Sequence, residues 1–454
     1  MKIRLLIPVL LTLAACTTTG QVDTPTRAAV ANTTLPPMKS FATPQPVPPT
    51  RSNRDIARDF LDLAFELESG RQIEKLTRFD GPITLRVTGN TSGSLMPDLK
   101  SLIARLRSEA RIDIQLVQDR NANITIQAVS RRDIRRALPQ AACFVVPNIS
   151  SLSQYRSARR KASTNWALLD TREKLAIFVP SDTSPQETRD CLHEELAQAL
   201  GPLNDLYRLP DSVFNDDNIH AVLTGFDMTV LRAYYDPTLQ NGMTREQVAA
   251  RLPSILARIN PRGETLSSRR LPETPRSWID AIQTALGPGT TPSGRRVAAR
   301  QALQIAQTQR WQDHRLGFSH YALGRLLQSQ DIAAAHAEFV KADRAYANVS
   351  RFGPHRAFVT TQLSAYAISA GRGQEALNLI NPQLGPAAQY ENAALLSTLM
   401  LLRAEALELQ GKHEEAGTVR LDSLGWARYG FGPDWAVRSK LREIASLSPL
   451  NGRF

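Results

Sequence analysis

The chain reads as an α+β domain followed by an all-α helical-repeat domain. Three observations carry that reading. Apolar spacing switches between helix and strand periods over the first half, a long capped helix closes that series, and turn-plus-alanine elements recur in the last third.

The order of elements begins with an address. Lys2 and Arg4 precede a short apolar run, Leu5 to Leu13, and Leu13-Ala14-Ala15-Cys16 follows. Roughly 10 apolar residues are too few to cross a bilayer as a mature helix, so residues 1–15 read as a cleaved lipoprotein signal. Cys16 then becomes the lipid-bearing first residue, which predicts a membrane-anchored chain in the bacterial envelope. Thr17 at the next position points to the outer membrane, facing the periplasm. Residues 16–52 are rich in Thr, Pro and Ala with few large apolar side chains, which predicts a disordered tether. Of three cysteines, Cys143 and Cys191 are left as an even pair in an oxidising compartment, and a disulfide between them is expected.

Residues 53–261 carry the mixed pattern. Ile56, Phe60 and Leu63 have helical spacing, Ile83 to Val87 alternates as a strand, and Leu95 to Leu106 is again helical. Strands are expected near Ile112 to Val117, Ile124 to Val129, Cys143 to Val146 and Leu175 to Val179. Ser184-Pro185-Gln186-Glu187 combines an N-cap serine, a first-turn proline and a capping-box glutamate. Leu192, Leu196 and Leu200 form an apolar stripe, and Gly201-Pro202 ends the helix, with Gly201 suited to a positive φ.

That helix holds Glu194-Glu195-Leu196-Ala197-Gln198-Ala199-Leu200-Gly201-Pro202-Leu203-Asn204. Glu194 and Gln198 are one turn apart on one face. Beyond the glycine, Asn204 or Asp205 can swing back towards them. Ser212-Val213-Phe214-Asn215-Asp216 follows, then Leu223-Thr224, Asp227, Tyr234-Tyr235-Asp236-Pro237 and Gly242-Met243. The helix resembles the metzincin zinc-protease motif His-Glu-x-x-His-x-x-Gly-x-x-His with every histidine replaced. The whole set, over about Asn53 to Pro261, is similar to the bacterial family domain of unknown function 2927. The resemblance implies a metzincin-like fold for residues 53–261. It puts Glu194, Gln198 and Asn204 or Asp205 at ligand positions, Glu195 at the catalytic carboxylate and Phe214 at the floor of the site. Zinc prefers nitrogen and sulfur donors and is not expected at these oxygens, which would suit Ca²⁺ or Mg²⁺ better. The expectation is no metal and no other cofactor.

Residues 262–290, rich in Pro, Arg, Ser and Gly, read as a linker, and residues 291–454 as the repeat domain. Turns at Gln330-Asp331, Gly371-Arg372 and Gly411-Lys412 each lead to a small residue entering a helix: Ala335, Ala376 and Ala416. These alanines are 41 and 40 residues apart (376 − 335 and 416 − 376). The pattern resembles tetratricopeptide helical hairpins at a longer period, implying stacked hairpins with a binding surface. The histidines His220, His314, His320, His336, His355 and His413 look scattered, as packing or surface residues.

The formal net charge is +12. Outside the cytoplasm such a charge favours anionic envelope polymers and lipid headgroups over nucleic acid, which is not an expected partner. No nucleophile elbow, phosphate loop or dinucleotide fingerprint is present. The expected function is a membrane-anchored envelope protein with a protease-derived, non-catalytic domain. Its cleft or helical repeats would bind peptides or proteins. The alternative is a peptidase-like hydrolase with Glu195 as general base and an oxygen-ligated cation.

Overall fold

Alternating apolar residues between Ile83 and Pro180 build one five-stranded sheet. In the computed structural model the described residues are 35–42, 47–349 and 353–451. The signal segment, Cys16 and the first part of the tether lie outside them. The sheet has the order β2-β1-β3-β5-β4, with β1 at Ile83–Gly89, β2 at Ile114–Leu116, β3 at Ile124–Val129, β4 at Phe144–Pro147 and β5 at Leu175–Pro180. β2, β1, β3 and β5 run parallel, while edge strand β4 is antiparallel to β5. Leu175, Ile177 and Val179 face the core under α1 (Asn53–Ala64), α2 (Leu95–Ser108) and the later site helix. Ala176 and Phe178 face the opposite side, with Phe144 and Val146, under α3 (Arg131–Ala137) and α4 (Leu152–Ala158). Burial on both faces is why β5 is a continuous apolar run rather than an alternating one.

The site helix α5 spans Pro185–Leu200, and α6 (Gly225–Tyr234), α7 (Arg245–Ala249) and α8 (Leu252–Ile259) close the α/β part. The Sγ atoms of Cys143 and Cys191 are bonded, tying α5 to the start of β4.

The helical part consists of α9 (Arg276–Leu286), α10 (Pro292–Thr308), α11 (His314–Leu327), α12 (Ile332–Val349), α13 (Pro354–Ser369), α14 (Gly373–Gln389), α15 (Ala393–Glu408), α16 (His413–Phe431) and α17 (Asp434–Ala445). Helices α9 to α16 pack in consecutive antiparallel pairs. Ala335, Ala376 and Ala416 are fully buried where the paired helices cross. Gly324 is needed for the same close approach, because a Cβ there would lie 2.8 Å from the Phe339 ring.

Two expectations are corrected. Residues 262–290 are not a free linker: Ser268 Oγ and the Arg269 N–H donate to Asp55 of α1 at 2.8 Å each. α9 then forms with Trp278 fully buried. Nor do all of residues 16–52 stand clear of the fold. Residues 35–42 and 47–52 lie along it as an arm on which Leu35, Phe41 and Arg51 find seats while Met38 and Val47 stay exposed. Leu35 is buried against Leu424 and Val437, and Phe41 stacks on Trp426 with ring centroids 4.5 Å apart. Arg51 pairs with Asp59 at 2.7 Å and with Asp211, and its guanidinium lies 3.9 Å from the Phe226 ring. Gly225 admits the arm, since a Cβ there would collide with the Val47 carbonyl.

From Leu35 onward the chain is one compact unit. The N-terminal ends of α11, α13 and α15 all meet the α/β part. The His314 ring lies on the Tyr207 carbonyl, the His355 ring on Asp217, and the Gln186 amide donates to Asn392 at 2.9 Å. Arg189 of α5 pairs with Glu391 at 3.1 Å just before α15.

Candidate functional site

The site helix starts as its sequence requires: Ser184 Oγ accepts the Glu187 N–H at 3.2 Å. The capping box is half made, because the Glu187 carboxylate turns to Arg131 instead, 2.9 Å away. At the other end the fully buried Arg172 donates to the carbonyls of Gln198, Ala199 and Gly201 at 2.7, 2.8 and 2.5 Å. It thereby satisfies carbonyls that a helix end leaves orphaned, and puts a cation at the negative pole. Gly201 does not take a positive φ; its φ is −163°. Glycine is required there because a Cβ would come within 2.9 Å of the Tyr234 ring.

Glu194 is half-buried and Glu195 is buried. Asp205 turns back beside them, joined by Glu68 from the segment after α1 and by Asp216 from the Ser-Val-Phe turn. Burial pushes the Glu194 carboxyl up to about 8, reinforced by the charges of Asp216, Glu68 and Asp190. Glu195 and Asp205 are held well above the ordinary range, first by burial and then by neighbouring carboxylates. Glu68 and Asp216 are also raised, by burial before charge, although their side chains remain open to solvent at the rim. Glu68 is the carboxylate that raises Asp205 most after burial itself. Glu195 Oε2 and Asp205 Oδ1 are buried without a hydrogen-bond partner. Tyr207 donates to Asp216 at 2.7 Å.

The remaining predicted positions divide. Gln198 is buried on the same helix, with its carbonyl taken by Arg172. Asn204 is spent on structure, its amide donating to the Asp62 carbonyl of α1 at 3.0 Å, which leaves Asp205 to join the carboxyl group. Phe214 is fully buried, and its turn is fixed by Asp227, which receives Ser212 Oγ and the N–H groups of Val213 and Thr224. His193, next to Glu194, points elsewhere: its Nδ1 accepts the Leu223 N–H at 3.1 Å, and burial keeps the ring neutral.

A metal ion does not fit this donor set. Among the described residues no group of three or more His, Cys, Asp or Glu side chains is arranged to hold one. Asn204 is turned away, and the one histidine of the helix, His193, spends its Nδ1 on the Leu223 N–H. A crevice of the described surface lies elsewhere, between Val47–Thr50, Thr224–Phe226 and Gln389–Glu391. We place the site at the carboxyls because uncompensated buried acids, not concavity, are the chemically unusual feature.

A second cluster escaped the sequence reading. His220, His314 and His355 gather around Asp217 where the helices meet the α/β part. His355 Nε2 lies 3.1 Å from Asp217, and the His220 and His314 rings lie 5.6 and 5.7 Å from that of His355. His220 Nε2 and His314 Nε2 face the carbonyls of Pro210 and Tyr207 at 3.0 and 2.6 Å, so each ring carries its proton there. Burial, then the charge of His355, lowers both rings to about 4. One signal was available. His314 and His355 are 41 residues apart (355 − 314), the separation of Ala335 and Ala376, and so occupy matching places in successive hairpins.

Residues 53–254 match the family model described as Protein of unknown function (DUF2927). The match covers the sheet, the site helix and the Ser-Val-Phe turn, and stops before the helical part. No curated protein and no solved structure matches the chain.

Proposed function

We propose that this chain is an envelope-anchored binding protein with a non-catalytic, metzincin-derived α/β part. Its cluster of carboxyls receives a positively charged group of a peptide or protein. Tetratricopeptide-like hairpins buttress that part through the ends of α11, α13 and α15. The sheet with one antiparallel edge strand, followed by a helix carrying Glu194 and Glu195, supports the derivation. The observation that carries the binding role is the convergence of five carboxyls, Glu68, Glu194, Glu195, Asp205 and Asp216. The charges raising Glu194 are all carboxylates. Such a group keeps protons at neutral pH until a cation enters, and then releases them. A lysine or arginine side chain supplies that cation together with hydrogen-bond donors for Glu195 Oε2 and Asp205 Oδ1.

The hydrolase reading asks Glu195 to act as a base. Burial and the neighbouring carboxylates Glu194 and Glu68 raise the Glu195 carboxyl, which disfavours the ionised form that a general base needs.

Binding of an extended peptide bearing Lys and Arg, against its acetyl-lysine and citrulline counterpart, tests the reading. The charged peptide is expected to bind about tenfold tighter, a difference of ~1.4 kcal/mol. That preference disappears in Glu68→Gln/Glu194→Gln/Asp205→Asn. Equal binding of the two peptides overturns the proposal, and cleavage of the peptide that vanishes in Glu195→Gln restores the hydrolase.

A further inference from the structure

The face of the sheet turned away from α5 gathers much of the chain's positive charge. Residues 131–161 hold eight Arg or Lys residues and one acid, Asp133, so 8 − 1 = +7 of the formal net +12 lies in this stretch. The fold makes one surface of it. Helices α3 and α4 sit together over Phe144, Val146, Ala176 and Phe178, and bury Ile134, Ala137 and Leu152 there. Outward, α3 exposes Arg132, Arg135 and Arg136 at i, i+3 and i+4. Arg156, Arg159, Arg160 and Lys161 are exposed at and just beyond the end of α4. Arg156 donates to Asp133 at 3.0 Å, which brings the two basic groups side by side.

The acids nearby are already engaged. Asp133 also receives Ser130 Oγ at 2.7 Å, and Arg136 acts on it from one turn away. Asp182 accepts the Arg131 N–H at 2.8 Å, and Glu187 takes the Arg131 guanidinium at 2.9 Å. Among the described residues no carboxylate comes within ion-pair distance of Arg132, Arg135, Arg136, Arg159, Arg160 or Lys161. One cation in the last turn of each helix answers its dipole, but this many like charges repel one another in the free protein.

We infer that the α3–α4 face binds a linear polymer bearing phosphate groups. Seven of the eight cations are arginines, whose planar forks match phosphate oxygens. One phosphate can take forks from neighbouring arginines, whereas the two oxygens of a carboxylate fill a single fork. Repeated phosphates, rather than one, suit cations spread over two helices. A bilayer fits less well: Leu138, at 37%, is the one exposed large apolar side chain of the stretch. The inference is independent of the peptide-binding reading of the carboxyls.

The test is binding of fluorescently labelled long-chain inorganic polyphosphate to the full chain, read by anisotropy. Wild-type binding is expected to fade as salt rises from ~50 to ~500 mM, and Arg132→Gln/Arg135→Gln/Arg159→Gln/Arg160→Gln to bind about tenfold weaker. Lys100→Gln/Arg120→Gln/Arg270→Gln/Arg300→Gln removes the same charge from exposed positions elsewhere and should keep wild-type affinity. Equal losses in the two variants overturn the surface, because net charge alone would then act. No wild-type binding at ~50 mM salt overturns it as well. Polygalacturonate bound as tightly as polyphosphate overturns the phosphate preference. Phosphatidylglycerol vesicles that displace polyphosphate from wild type overturn the polymer in favour of a lipid surface.

Discussion

Glu194 on an open helix face would ionise below pH 5, yet here burial and three other carboxyls push it up to about 8. The folded state therefore binds more protons than the unfolded chain between these values. Its stabilising contribution is complete below about 4.5 and is lost as pH rises through about 8. Glu194→Gln removes the repulsion without removing the side chain. The variant should match wild type near pH 4.5 and melt higher by roughly 2 °C at pH 8.5, as read by thermal unfolding. A uniform shift at both pH values would mean that packing, not charge, set the effect.

At the scale of elements, the strands and helices of the α/β part were legible because their apolar periods differ and each bounds its own core. Ser184-Pro185 and the Leu192, Leu196, Leu200 stripe marked α5 without help from tertiary structure. Its end was legible in place but not in cause: the helix stops before Gly201 as read, yet Gly201 answers to Tyr234, and Arg172 answers three carbonyls from a loop 26 or more residues earlier. Such long-range partners leave no period in the sequence. The arm was missed for a related reason, since Leu35, Phe41 and Arg51 are too sparse to form a core yet dock singly on surfaces made by others. The cysteine pair closes a loop of 48 residues across β4 and α5. Cys143→Ser/Cys191→Ser should lose about 4 kcal/mol in urea unfolding by the loop-entropy argument, with α5 exchanging its amides first. A loss under ~1 kcal/mol would show that the core alone holds α5.

For the whole molecule, the junction of the α/β part with the helices is written in buried polar groups. Three histidines around Asp217 join residues far apart in the sequence, so only their repeat-length spacing hinted at a meeting. The rings of His220 and His314, lowered to about 4, contribute stability that is present above their unfolded pKa of about 6.5 and is lost as pH falls through about 4. Asp211, Asp217 and Asp313 surround them, Tyr390 lies against the His220 ring and Tyr346 against that of His355. Acidification should thus loosen the ends of α11 and α13 before the sheet, seen as early amide exchange there between pH 6.5 and 4. His220→Gln/His314→Asn should flatten that dependence, and unchanged acid loosening in this variant would remove the histidines from the account. The carboxyl cluster and the junction share one loop, in which Asp216 faces the acids and Asp217 the histidines. Protonation of the cluster is the most direct thing to measure. Difference infrared spectroscopy of wild type against Glu194→Gln at pH 7 reads the protonated carboxyl band of that residue. The account predicts the band in the free protein and its loss when the Lys- and Arg-bearing peptide is added. A spectrum showing only carboxylate at Glu194 in the free protein would contradict it.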